Sequence, residues 1–126
     1  MKKCFLTQHG PKAIGPYSTA TQVGSLCFMS GMLGVIPEKG ALAEGGVEAQ
    51  AKQALSNIRT VLEEMNLTMD AVVKTTVFLA DLNDFAKVNA IYAEFFGADY
   101  PARSCVQVAR LPMDALVEIE AIAALN

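Results

Sequence analysis

Two adjoining stretches decide the fold class. The first is Val47-Glu48-Ala49-Gln50-Ala51-Lys52-Gln53-Ala54-Leu55-Ser56-Asn57-Ile58-Arg59-Thr60-Val61-Leu62-Glu63-Glu64-Met65, and the second is Val72-Val73-Lys74-Thr75-Thr76-Val77-Phe78-Leu79. In the first, Val47, Ala51, Ala54, Leu55, Ile58, Leu62 and Met65 fall on one stripe at helical spacing, while Glu48, Lys52, Arg59 and Glu63 fall elsewhere. That pattern predicts an amphipathic helix with one face turned to a core. The second stretch is rich in β-branched residues and predicts a strand.

Upstream, Thr19–Val23 and Leu26–Ser30 flank Gly24-Ser25 and read as a hairpin. Gly34 to Gly46, with Pro37, Gly40 and Gly45, reads as a loop. Downstream, Asn83 or Asp84 can cap a second helix with Phe85, Val88, Tyr92, Phe95 and Phe96 on its apolar side. Gly97 is its natural stop, because glycine accepts the left-handed conformation that ends many helices. Pro101 precedes a strand from Arg103 to Ala109, Leu111-Pro112 turns the chain, and Leu116 to Ala123 forms the last strand. Strands and helices in this order give an α+β fold in which two helices cover one face of the sheet. The other face needs a cover, and a second copy of the chain is the expected one.

Composition points the same way. The 126 residues fit one domain spanning 1–126, yet 52% of them are apolar and the mean hydropathy is +0.32. So much apolar material in a small domain implies that part of its surface is covered by another subunit. A membrane span is rejected. The longest charge-free run, Ala13 to Pro37, is broken by Gly15, Pro16, Gly24, Gly31 and Gly34 and carries hydroxyl and amide side chains. Net charge is −3 and no basic run exceeds Lys2-Lys3, which argues against a surface that tracks phosphates. The N-terminal residues are too short an apolar run for a signal-peptide core. Cys4, Cys27 and Cys105 are distant and odd in number, so free thiols in a reducing, cytoplasmic setting are expected. His9 is the only histidine and there is no Cys-x-x-Cys pair, so no metal site is expected. Phosphate-loop and dinucleotide fingerprints are absent, so no cofactor is expected.

Chemistry concentrates in the last two strands. Side chains alternate along a strand, so Arg103, Cys105 and Gln107 share a face, as do Glu118, Glu120 and Ile122. Pairing of these strands through the Leu111-Pro112 turn would gather an arginine, a thiol and a carboxylate. The arginine fork fits a carboxylate bidentately, and a carboxylate beside bound water can move a proton. The same spacing also fits a purely structural ion pair between Arg103 and Glu118 or Glu120. Cys105 alone fits a small buried hydrophobe. Tyr17, Asn89 and the Ser30-Gly31 pair have equally plain readings as a turn aromatic, a solvated helix residue and a strand end.

Several segments together resemble the RidA/YjgF family. They are Ala13-Ile14-Gly15-Pro16-Tyr17-Ser18, Ser30-Gly31, Val73-Lys74-Thr75-Thr76-Val77-Phe78-Leu79, Asp81-Leu82-Asn83-Asp84-Phe85, Pro101-Ala102-Arg103-Ser104-Cys105 and Val117-Glu118-Ile119-Glu120-Ala121. The likeness covers nearly the whole chain in order. Pro-Ala-Arg-Ser-Cys is its most specific part and resembles the deaminase branch. The resemblance implies a chorismate-mutase-like fold with a single sheet of about six mixed strands, assembled as a homotrimeric barrel with clefts between subunits. It implies hydrolysis of 2-imino acids, such as 2-iminopropanoate and 2-iminobutanoate, to 2-oxo acids and ammonia. No cofactor or metal is implied. The imines would come from enamines released by pyridoxal-phosphate serine and threonine dehydratases, and the implied role is control of metabolite damage.

By the same resemblance Arg103 holds the substrate carboxylate and Glu118 orients or activates water. Backbone near Cys105 and Gly31, beside Ser30, meets the imine nitrogen or the carboxylate, and Cys105 lines the site without a covalent bond. Tyr17 closes the cleft, from its own or an adjacent subunit, with support from Asn89. Two departures stand out. Met32 follows Ser30-Gly31 where relatives often carry Gln, and the Gly97–Tyr100 link is short. A non-catalytic module that binds or senses 2-oxo acids or amino acids is the alternative. An RNA-cleaving role has also been attached to the family, and the acidic charge balance argues against it here.

Overall fold

The predicted stripe closes into α1, Gly46–Glu64, in the computed structural model, which describes residues 1–126. Its buried side chains include Ala51, Ala54, Leu55, Ile58, Val61 and Leu62, all sealed from solvent. The second helix, α2, runs Phe85–Phe96 and buries Val88, Tyr92 and Phe96. It ends at Gly97, whose φ of 65° lies in the region that glycine tolerates best.

Eight strands accompany the helices: β1 Lys3–Phe5, β2 Ala20–Val23, β3 Leu26–Leu33, β4 Val35–Ile36, β5 Ala41–Leu42, β6 Val72–Leu79, β7 Ala102–Gln107 and β8 Val117–Ala124. Six of them form one sheet in the order β1-β2-β3-β8-β6-β7, and β4 pairs with β5 apart from it. The expected hairpin is present as β2–β3, with Val23 opposite Leu26. The segment read as a loop from Gly34 to Gly46 carries the small β4–β5 ladder, and β1 adds an edge that the pattern did not signal.

One correction concerns the C-terminal strands. β7 and β8 were expected to pair with each other, and they do not. β7 runs parallel to β6, with Thr75 opposite Arg103. β8 lies between β3 and β6, antiparallel to both. Two physical causes account for this. A helix between two strands returns the chain in the starting direction, so β6-α2-β7 makes a parallel pair. The centre of a sheet also goes to its most apolar strand. Val117, Ile119, Ala121 and Ala123 are fully buried on β8, whereas β7 buries none of its residues. β3 and β6 are therefore parallel to each other and joined through α1, and β8 fills the slot between them.

Both helices pack on the same sheet face. The residues that meet them are Cys27, Met29, Thr75, Val77, Leu79, Val117, Ile119 and Ala121, all part of the buried core or, for Thr75, its polar member. Two buried amides tie α1 to the sheet. Asn57 Nδ2 donates to the carbonyls of Leu33 and Val35 at 3.1 and 2.9 Å. Gln50 Oε1 accepts from the Leu116 amide at 2.8 Å. These bonds fix the end of β3 and the start of β8, where the candidate site begins. The opposite face carries Phe28, Phe78, Glu118, Glu120 and Ile122 and is only partly shielded, Phe28 being 40% exposed. No helix is long and apolar enough to cross a membrane.

Candidate active site

The predicted site residues fall into two groups, one on each face of the sheet. On the helix face, Arg103 projects from β7 toward α2, and its Nη1 donates to Asn89 Oδ1 at 2.6 Å. Its guanidinium carbon lies 4.9 Å from the Tyr92 ring centroid and 5.4 Å from that of Phe85. Two aromatic faces and an amide thus hold the fork in place. The competing reading, an ion pair with Glu118 or Glu120, is not realised. The ion pairs present are His9–Glu64 and Arg110–Asp114. The Arg103 donors beyond Asn89 face a cavity of about 360 Å³ lined by Asn89, Tyr92, Tyr100 and Pro101. The short Gly97–Tyr100 link therefore forms part of that rim.

Cys105, two residues along β7, packs against the core. Burial pushes its thiol up, and the Arg103 charge only partly offsets this. Such a thiol is not an activated nucleophile. Beside it, Tyr92 Oη and Thr75 Oγ1 share a hydrogen bond of 2.7 Å. Burial raises the Tyr92 phenol, while Thr75 and Arg103 pull it down.

The second group gathers where β3 is irregular. Its register against β8 shifts between Met29 and Met32, a β-bulge that contains Ser30 and Gly31. A bulge re-aims side chains by inserting an unpaired residue. Here it changes the parity of β3, so that Met29 and Met32 both face the core although they are three residues apart. Ser30 Oγ donates to the Ser18 carbonyl at 2.7 Å, and its amide donates to the Thr19 carbonyl at 2.9 Å. Gly31 lies against Glu118. A Cβ on Gly31 would stand 2.8 Å from both Cδ and Oε2 of that carboxyl, closer than side chains approach. Desolvation by burial raises the Glu118 carboxyl above the ordinary range, and the nearby Glu120 charge raises it further. Tyr17, Thr19, Ser30, Gly31, Met32 and Met113 line a cavity of about 230 Å³. Met32 borders this cavity although its side chain is buried with the core.

Arg103 and Glu118 do not meet in one chain. β6 separates their strands, and they project from opposite faces. The bulge, Asn57 and Gln50 were not anticipated. Asn57 did leave a trace, as a polar residue on the apolar stripe between Ala54 and Ile58.

The matched family bears on this geometry. Residues 7–125 fit the family model described as Endoribonuclease L-PSP. The chain belongs to this family, the RidA/YjgF family. It is 52% identical over 126 residues to the 2-iminobutanoate/2-iminopropanoate deaminase of Salmonella typhimurium, covering 98% of each chain. The Escherichia coli K12 protein of the same name is 48% identical, with the same coverage. Among solved structures, E. coli TdcF with bound serine matches with a TM-score of 0.92 at 45% identity, covering 98% of this chain and 99% of that one. The expected α+β fold, with a mixed sheet of six strands and two helices, is the one found in RidA/YjgF structures.

Proposed function

We propose that this chain is an enzyme that hydrolyses 2-imino acids to 2-oxo acids and ammonia, acting as a cytoplasmic homotrimer without a cofactor. The expected substrates are 2-iminopropanoate and 2-iminobutanoate, released as enamines by pyridoxal-phosphate serine and threonine dehydratases. Removing them limits metabolite damage. The observation that carries the reading is Arg103. It is a fixed guanidinium with donors to spare and no carboxylate of its own chain against it. The names of the two deaminases at 48–52% identity support it.

The proposed chemistry follows from the two half-sites. Arg103 of one subunit grips the substrate carboxylate, while Asn89 keeps the fork from swinging. Tyr17, Ser30, Gly31 and Glu118 of the next subunit close around the imine carbon. Water oxygen bonds to C2 as the C=N electron pair moves onto nitrogen. Glu118 takes one water proton and passes it to that nitrogen. Glu118 then takes the hydroxyl proton and gives it to the amine nitrogen, and the electron pair left on oxygen forms C=O as the C–N bond breaks and ammonia leaves. A raised carboxyl suits a group that must both take and return a proton near neutral pH. Such transfer contributes about 10²- to 10⁴-fold in rate, and fixing the carboxylate adds the advantage of an oriented complex. Cys105 lines the site as a neutral thiol.

The test couples the purified protein to a serine or threonine dehydratase and follows loss of the imine. Faster loss with wild type, and an acceleration cut about tenfold or more with Arg103→Ala, is expected, and equal rates with and without wild type refute the reading. TdcF was solved with serine bound, which favours one alternative, a module that binds amino or 2-oxo acids without turnover. Binding of 2-oxobutanoate with no acceleration of imine loss would establish it. The family description names a ribonuclease, but the excess of 13 acidic over 10 basic residues gives RNA no electrostatic footing.

A further inference from the structure

We propose that Glu64, outside the cleft at the far end of α1, is a positioning residue for the cleft wall. This rests on the deaminase reading for its kinetic consequence and on geometry for the rest. Its carboxylate is largely covered, with the side chain 15% exposed, and it gathers the N-terminal segment around it. Thr7 Oγ1 donates to Oε1 at 2.7 Å. The His9 amide donates to Oε2 at 2.8 Å, and the Gln8 amide reaches both oxygens at 3.2 and 3.3 Å. His9 Nδ1 stands 3.2 Å from Oε2. The knot closes on itself through the Gly10 amide, which donates to Thr7 Oγ1 at 2.9 Å. Gly10 is buried there, and a Cβ would stand 2.8 Å from that oxygen.

From this knot a chain of hydrogen bonds leads into the cleft. The Thr7 amide donates to Thr19 Oγ1 at 3.0 Å. The Thr19 carbonyl accepts from the Ser30 amide, and Thr19 and Ser30 both line the 230 Å³ cavity. Between the two anchors runs Pro11–Tyr17, which supplies Pro11, Lys12, Ala13, Ile14 and Tyr17 to the same cavity. Its one internal hydrogen bond joins the Tyr17 amide to the Gly15 carbonyl. The segment is therefore held from its ends, and Glu64 holds the N-terminal one. A charge-assisted acceptor shared by several amides is stronger than a neutral one. Without it the wall samples arrangements that do not bind, and apparent affinity falls by the fraction of competent molecules.

The experiment uses the full-length protein with Glu64→Ala, Glu64→Gln and, as a control of equal charge change, Glu63→Ala. Three readouts are taken: Kd for 2-oxobutanoate by calorimetry, KM and kcat in the coupled assay, and the rate of tryptic cleavage after Lys12. Glu64→Ala is expected to raise Kd and KM about tenfold, corresponding to a wall competent about a tenth of the time, with kcat within about twofold of wild type. Cleavage after Lys12 should accelerate severalfold. Glu64→Gln, whose amide oxygen still accepts from the backbone, should recover part of each loss, and Glu63→Ala should match wild type. If Glu64→Ala does not fold, Thr7→Val, which removes the hydroxyl at the centre of the knot, takes its place. A folded variant with unchanged cleavage after Lys12 overturns the proposal without any ligand, and so does an unchanged Kd. Wild type that binds 2-oxobutanoate in a Glu64-dependent way but turns over no imine would defeat the deaminase reading and leave the positioning role standing.

Discussion

Mixing two variants of low activity should raise activity above that of either. Arg103 and Glu118 lie on opposite faces of one chain's sheet, so the proposed site takes one from each of two neighbouring subunits. Arg103→Ala removes a charge-assisted contact worth about 1.5–3 kcal/mol, or about tenfold to 150-fold in kcat/KM. The fold should tolerate it, because the guanidinium sits on the outer strand and contributes two ring contacts of about 0.5–1 kcal/mol each. Glu118→Gln removes the proton carrier, at about 10²- to 10⁴-fold. Equal amounts of the two variants, unfolded together and refolded, assemble at random around the ring. In about one quarter of the sites both intact residues then meet, since each is drawn from a subunit with even odds. Activity should reach about 25% of wild type, against a parental mean of about 5% or less from the losses above. The assay is imine loss in the dehydratase-coupled system, with each variant refolded alone as its control. Activity no higher than the parental mean would refute a site shared between Arg103 and Glu118 of neighbouring subunits.

The pH profile follows from Glu118. Only its ionised form takes a proton from water, so kcat/KM should fall as pH drops through a carboxyl raised above the ordinary range by burial and by Glu120. Glu120→Gln removes the second cause and should shift that acid limb to lower pH; an unmoved limb would show that Glu118 is not the titrating group. Gly31→Ala should lower kcat/KM by about tenfold or more with little loss of stability, because the new methyl displaces a flexible carboxyl rather than backbone; wild-type kinetics would refute the contact. Asn57→Ala leaves the Leu33 and Val35 carbonyls unpaired and should cost about 1–3 kcal/mol, measured as a lower denaturation midpoint at unchanged slope.

Both helices were legible because periodicity over many residues averages out local exceptions. The β2–β3 hairpin was legible because Gly24 marks its turn. The partner of β7 was misread, although the sequence held the answer: a strand, a helix and a strand in succession imply a parallel neighbour. A proline turn before β8 suggested a hairpin instead, and only the burial demand of Val117, Ile119, Ala121 and Ala123 explains why β8 sits centrally. The face-sharing of Arg103 with Cys105, and of Glu118 with Glu120, was correct because alternation does not depend on pairing. The bulge at Ser30–Gly31 was invisible. It coincides with the close approach of Glu118 to a residue without a side chain, a contact 87 positions apart in the chain.

That alternation also explains why Arg103 and Glu118 face opposite sides of one chain's sheet. Thr75, Val77 and Leu79 face the helices, and Arg103 and Cys105 stand opposite Thr75 and Val77 in a parallel register, so they face the helices too. Glu118 has the opposite parity to Val117 and Ile119. To bring the carboxylate to the arginine's face, β8 would have to slip by one residue. The slip would turn Val117, Ile119, Ala121 and Ala123 out of the core together. Exposing Val117 and Ile119 alone would cost about 1.5–3 kcal/mol each, a large part of the stability of a domain this size. In the proposed assembly a second copy would bring a carboxylate to the arginine without disturbing the register. The sheet face that the helices leave open carries Phe28, Phe78 and Ile122, apolar surface on which such a copy can pack. The register that stabilises the core thus keeps Arg103 and Glu118 apart within one chain, and the proposed site joins them only by assembly.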